Sequence, residues 1–203
     1  MKFALGFDLS LTAPAAVALP LDWRPGDWQR ARSYLLKPQA PKTDDTRGQY
    51  VRYAEIADWA YNVVDDCGAG DGDTYAIEQY AFSRNNAQAS RLMELGGVVR
   101  MRLFQEWALV ATVVAASSAR KLLLGKVPRS DQKIAVQVAL YKAGAPLDPK
   151  LVEGRVKRPR HATPGKWEEN VCDAFVCSNF LLAELGGKVL GVAVADVKGK
   201  KKR

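Results

Sequence analysis

The sequence predicts an α/β fold, a mixed sheet with helices packed on it. Three observations carry that prediction. Two apolar runs of strand length, residues 3–8 and 15–19, are joined by a short turn containing Ser, Thr and Pro, which is hairpin spacing. Later strand-like runs, residues 74–78 and 109–116, alternate with stretches of helical periodicity, the element order of layered α/β domains. The chain has 203 residues, 48% of them hydrophobic, enough for one domain with a full-sized core.

In chain order, Phe3-Ala4-Leu5-Gly6-Phe7-Asp8 reads as a first strand ending in a carboxylate. Leu9 to Pro14 turns the chain, and Ala15 to Leu19 returns as the second strand. A third strand fits Ala31 to Leu36, before Pro38 and Pro41 break the sheet. Thr43-Asp44-Asp45 offers side-chain oxygens to the free N–H groups of a helix's first turn. Beyond it Tyr53, Ile56, Ala57, Ala60, Val63 and Val64 recur at three- and four-residue steps, one helical face. The run Gly68 to Asp73 is a turn leading into a central strand, Thr74 to Glu78. Helical periodicity resumes from about Arg84 to Trp107. Gly96-Gly97 in its middle costs about 1 kcal/mol per glycine against alanine, which predicts a close approach of this helix to the sheet. Leu109 to Ala116 reads as a buried parallel strand. Ser117 to Leu124 and Asp131 to Ala143 read as helices, residues 147–164 as an exposed basic loop, and Trp167 to Leu185 as a last helix stopped by Gly186-Gly187. The expected organisation is one domain over residues 1–187, then 188–203 as a short strand or tail ending in a basic, disordered segment.

Composition narrows the chemistry. No run of about 18 apolar residues exists, so no membrane span is expected, and the N-terminus lacks the pattern of a signal peptide. Cys67, Cys172 and Cys177 are an odd number without ligand spacing, and the last two fall in a helical pattern, so buried reduced thiols and a cytosolic, cytoplasmic protein are expected. With His161 as the single histidine, zinc is disfavoured, and any metal would be a hard cation held by oxygen. The net charge of +8 is concentrated at 155–161 and in the C-terminal tail, which points to a polyanionic partner.

A charge at the end of a buried strand is costly unless paired. Glu78 therefore either caps a turn or holds a cation, and Asp8 stands in the same setting. The last helix adds Glu169, Asn170 and Asp173, which share a face at i, i+3 and i, i+4 spacing. Like charges so placed repel by a few tenths of a kcal/mol. A divalent cation would offset that repulsion, making Asp8, Glu78 and Asp173 candidate ligands drawn from two strand ends and one helix. Turn caps and solvated helix-face acids are the alternative.

These residues carry a resemblance. Gly6-Phe7-Asp8-Leu9-Ser10-Leu11-Thr12 is similar to the first-strand motif of RuvC-type Holliday junction resolvases. Ile77-Glu78-Gln79, followed by Ser83-Arg84-Asn85-Asn86-Ala87 and a helix with Leu92, Gly96 and Gly97, resembles their second acidic motif. Asn170-Val171-Cys172-Asp173-Ala174 resembles their final acidic helix, and the likeness runs from about residue 3 to residue 185. It implies an RNase H-like fold, a mixed five-stranded sheet with helices on both faces. It also implies a homodimeric endonuclease, of phage or prophage type among other relatives, that cuts branched DNA with Mg²⁺ or, in its place, Mn²⁺.

By position the resemblance gives metal-ligand roles to Asp8, Glu78 and Asp173, with Asn170 where the family has its fourth ligand and Glu169 as the substitute. Lys133 is implied to be catalytic, and Arg120, across Leu122-Leu123-Leu124-Gly125 from it, a contact to DNA. Arg84, Asn85, Lys126, Arg158 and Arg160 are further expected DNA contacts, and Tyr80 and Phe82 are placed to stack on unpaired bases. The expected activity is resolution of four-way junctions by phosphodiester hydrolysis, leaving 5′ phosphate and 3′ hydroxyl. A broader fork and flap nuclease, or a junction binder with weakened catalysis, is the alternative.

Overall fold

The computed structural model describes residues 2–40, 45–70, 73–79, 86–125, 132–147 and 167–191. Among them are the strands β1 (Phe3–Asp8), β2 (Ala15–Pro20), β3 (Arg32–Leu35), β4 (Thr74–Glu78) and β5 (Val110–Val114). The helices are α1 (Thr46–Asp66), α2 (Asn86–Trp107), α3 (Ala116–Leu124), α4 (Gln132–Lys142) and α5 (Glu169–Glu184). The strands form a five-stranded sheet in the order β3-β2-β1-β4-β5. The first three are antiparallel neighbours, while β4 pairs with β1 and β5 with β4 in parallel. This is the mixed sheet the sequence predicts, with its early hairpin and its later strand–helix alternation.

Alternation along the strands divides the interior in two. Ala4, Val17, Leu19 and Ala76 point to a core shared with α3, α4 and α5. Leu5, Phe7, Ala18, Tyr75 and Ile77 point to a second core under α1 and α2. Helix α1 starts where its cap was expected: the Asp45 carboxylate accepts from Gly48 N at 2.8 Å. Its predicted apolar face, Tyr53 through Val64, is buried. Arg52 is buried as well, with Nη1 donating to Leu11 O at 2.5 Å and Nη2 donating to Ala40 O, so α1 braces the turn after β1.

Helix α5 is the most deeply set, with Val171 through Asn179 all buried. It lies across β1 at Gly6, where a Cβ would stand 2.4 Å from Ser178 N and 2.7 Å from Ala174 O. Only glycine permits that approach. Ser178 Oγ then donates to Val17 O at 2.6 Å, tying the helix to β2. Asn179 exchanges bonds of 2.9 and 3.1 Å with the backbone of Leu190, so the chain past the helix stays packed on this core. Helix α5 ends at its predicted stop, with Gly186 at a positive φ of 77°.

Three expectations are corrected. The run over β5 is parallel but only partly buried: among the described residues it is an edge strand paired with β4, with Leu109 and Val114 buried but Val110 59% and Val113 51% exposed. Gly97 does not mark a close approach to the sheet, since a Cβ there would meet nothing within 4 Å. The basic stretch does not begin exposed: Leu147 is buried and bridges to Trp167, which packs on Trp28 and Phe175 and so precedes α5 rather than starting it. All three cysteines are buried and free, as the sequence suggests.

Candidate active site

The register of the parallel pair builds the site. Gly6 lies beside Ala76 and Phe7 beside Ile77, so the next residues along, Asp8 and Glu78, end the two strands side by side. Period-two alternation turns both toward α5, since Phe7 and Ile77 between them face α1 and α2. One turn before the contact at Gly6, α5 presents Asp173, buried. Open α/β sheets bind ligands beyond the carboxyl ends of parallel strands, and that is where these acids gather.

Helix α3 starts two residues after β5, so its first turns stand next to Glu78 at the same end of the sheet. Arg120 reaches back from it: Nη2 donates to Asp173 Oδ1 at 2.9 Å and lies 4.0 Å from Glu78 Oε1. Lys133, from α4, closes the rim, with Nζ 2.8 Å from Glu169 Oε1 and 3.5 Å from Asp173 Oδ2. The i, i+4 repulsion between Glu169 and Asp173, read from the sequence as a place for a cation, is relieved here by a lysine. Lys133 is more than half exposed at its side chain, whereas Arg120 keeps only 13% of its own in contact with solvent.

The electrostatics record how crowded these charges are. Burial first, then Asp173 and Glu78 beside it, holds the Asp8 carboxyl well above the usual range, against the pull of Lys133 and Arg120. Glu78 is raised for the same reasons, burial leading and Asp173 following, with Arg120 and Lys133 opposing. Lys133 is raised too: burial acts against it, but its bond to Glu169 and the charge of Asp173 prevail. Beneath the acids, Cys177 is pushed up by burial and then by Glu78, Asp8 and Asp173. Its place one turn beyond Asp173 was not recognised from the sequence, although the i, i+4 spacing was there to be read.

Asn170 is anchored through its amide nitrogen. Its Nδ2 donates to Ala13 O at 2.6 Å, fastening the first turn of α5 to the turn between β1 and β2. Glu169 faces Lys133. The structure thus brings together Asp8, Glu78, Asp173, Glu169, Arg120 and Lys133, with Asn170 at their edge. Tyr80, Phe82, Arg84, Asn85, Lys126, Arg158, Arg160 and His161 lie outside the described residues.

Among the described residues no set of three or more His, Cys, Asp or Glu side chains stands in a metal-holding arrangement. The donor chemistry nevertheless fits a hard divalent ion. Oxygen donors from β1, β4 and α5 meet there, and burial first, then the neighbouring acids, raises the pKa of Asp8 and Glu78; a bound cation would relieve the part due to those neighbours. No helix among the described residues is long and apolar enough to cross a membrane.

No family model matches the chain, and no curated protein does. Solved structures do resemble it. With RuvC of Thermus thermophilus in complex with a Holliday junction substrate, the TM-score is 0.58 at 16% identity, over 93% of this chain and 99% of that one. A second Thermus thermophilus RuvC structure gives 0.56 at 16% identity, over 91% and 97%. The yeast mitochondrial Holliday junction resolvase Ydc2 gives 0.51 at 9% identity, over 90% and 80%. The chain therefore has the fold of these proteins, mixed sheet and flanking helices included.

Proposed function

We propose that this protein is a divalent-metal-dependent endonuclease that resolves four-way DNA junctions, a crossover junction endodeoxyribonuclease leaving 5′ phosphate and 3′ hydroxyl. The observation that carries the reading is the meeting of Asp8, Glu78 and Asp173 at the carboxyl ends of β1 and β4, with Arg120 and Lys133 at the same place. An acidic centre ringed by cations suits a phosphodiester, whose negative charge must be brought to other negative charge. The shared fold with RuvC, including the form bound to a Holliday junction substrate, supports the choice of branched DNA as substrate.

Asp8, Glu78 and Asp173 would hold Mg²⁺ or Mn²⁺, with Asn170 or Glu169 as a fourth oxygen donor. Bound there, the ion would supply a lower pKa to a coordinated water and would stabilise charge on the leaving 3′ oxygen. The chain's own residues do the rest. Lys133, exposed at the rim, is placed to meet a phosphate entering from solvent. The Asn170 tie to Ala13 O sets the height of α5 over β1, and with it the reach of Asp173 toward Asp8. Tyr80, Phe82, Arg84, Asn85, Lys126, Arg158 and Arg160 belong to the DNA-binding part of the proposal on sequence grounds.

A two-fold dimer would present two equal sites to the symmetric strands of a junction. Support for a second copy comes from α2, where Met93, Met101 and Phe104 are 45–57% exposed on one helical face. Gly97 sits in the same row with open space before it, and a groove of about 570 Å³ between α1 and α2 opens beside it. This face would meet its symmetry mate.

The deciding experiment uses a labelled four-way junction with Mg²⁺. Wild type cuts it and Asp8→Asn, folded to the same extent, does not; equal behaviour of the two sinks the catalytic reading. Flap and linear duplex at the same salt measure selectivity. A second reading, a junction binder with weakened catalysis, is favoured by the engagement of Asp173 with Arg120 and by an uncharged Asn170 at the fourth-ligand position. Tight junction binding without cutting in either Mg²⁺ or Mn²⁺ would select it.

A further inference from the structure

Arg120 is set deeper than a side chain that simply meets DNA. Its guanidinium donates one bond to Asp173 Oδ1, stands 4.0 Å from Glu78 Oε1, and leaves Nε buried with no hydrogen-bond partner. A structural arginine–carboxylate pair tends to a fork of two parallel bonds. This one is lopsided, holding an acid at one end and an unsatisfied donor at the other. Buried donors left unmet are uncommon in folded proteins and call for a reason. The acids around it suggest one, because the carboxyl groups of Asp8, Glu78 and Asp173 gather in one partly desolvated space, with Arg120 Nη2 near two of them. Arg120 is the cation that stands among them, while Lys133 serves mainly Glu169 at the exposed rim.

We propose that Arg120 is an internal stand-in for the divalent cation. It neutralises Asp173 and Glu78 while the site holds no ion, competes with the ion for the same oxygens, and is drawn off when a substrate phosphate offers it a better partner. The inference rests on the metal-dependent reading of the acidic cluster and adds a coupling to it. A phosphate that removes the guanidinium from Asp173 raises the affinity of the acids for the ion. By reciprocity, the ion raises affinity for the phosphate by the same factor. The pair Arg120–Asp173 would thereby keep the site from loading fully until DNA is seated.

The test is a titration of Mn²⁺ alone, without DNA, into wild type and Arg120→Gln, followed by the electron paramagnetic resonance of the free ion. Arg120→Gln removes the charge at similar length and should bind Mn²⁺ more tightly by about 5- to 150-fold, the usual span of a coupling between sites. Arg120→Lys keeps the charge but shortens the reach, and should give a smaller gain; it also serves if the glutamine variant does not fold. The gain in melting temperature on adding Mn²⁺ should follow the same order, a readout that loss of a merely structural bond would not raise. Equal or weaker Mn²⁺ binding in both variants overturns the proposal. If wild type binds Mn²⁺ and Asp8→Asn does not, the metal reading stands even when the stand-in fails. If no form binds the ion, both fall.

Discussion

Gly6 and Gly97 lack the same atoms, yet the protein treats them in opposite ways. At Gly6 a methyl group would collide with the backbone of α5, 2.4 Å from Ser178 N; at Gly97, over the other core, it would touch nothing within 4 Å. The first glycine lets a helix settle on the sheet and carries Asp173 to Asp8. The second leaves a shallow place on an outward helix face between exposed methionines and Phe104. On the α5 side, tight packing holds charges where their mutual repulsion would otherwise drive them apart. On the α1 and α2 side the inner surface is an ordinary apolar core, and the outer surface has apolar area with no partner among the described residues.

The sharpest way to break this contrast is to remove an acid. Asp8→Asn, Glu78→Gln or Asp173→Asn should each lower junction cleavage by at least about a thousandfold, the several kcal/mol expected when cation-holding charge is lost. Single-turnover cleavage with saturating Mg²⁺ measures it; a loss of only a few-fold would remove that residue from the site.

Packing comes next. Gly6→Ala should destabilise the fold by about 2–4 kcal/mol, since the colliding atoms are backbone and cannot rotate away. Urea denaturation would show it as a lower midpoint at unchanged slope. Gly97→Ala should act the other way, adding about 0.5–1 kcal/mol to the monomer through helix propensity. In the same variant, sedimentation should report weaker self-association. A loss of stability there would mean that α2 already has a neighbour at Gly97 within its own chain.

The acids also sharpen the contrast through pH. Asp8 and Glu78 have folded-state values raised above the ordinary carboxylate range. Their contribution to stability is thus fully present below about pH 4, and is lost as pH rises through the raised values. Asp8→Asn cannot ionise, so without metal it should melt at a higher temperature than wild type near neutral pH and show little difference near pH 4. Thermal melts in a chelating buffer across that range decide it. A wild-type advantage at neutral pH would show that Arg120 and Lys133 more than compensate the buried charge. The smallest effect expected is at the cap: Asp45→Ala should lose about 1 kcal/mol by giving up the bond to Gly48 N, with no change in cleavage.

Strand and helix positions were legible because they depend on neighbours close in sequence. The apolar runs in Phe3–Asp8 and Thr74–Glu78, the Asp45 cap and the Gly186 stop are each set by a few adjacent residues. The acids at the strand ends were legible for the same reason, as charges closing apolar runs. Arg120 and Lys133 could be nominated only by resemblance, since nothing local distinguishes an arginine on α3 that turns inward from one that faces water. The exposure of β5 and the open row beside Gly97 were misread because strand order and helix placement are not local properties.

Taken alone, the sequence determined which segments become strands and helices and which of them end in a carboxylate, because backbone sterics and side-chain periodicity act over a few residues. Only the tertiary structure decided which carboxylates meet, which cations stand among them and which glycine is crowded. Those outcomes depend on register and on helix-to-sheet distance, and both are set by packing between segments far apart along the chain.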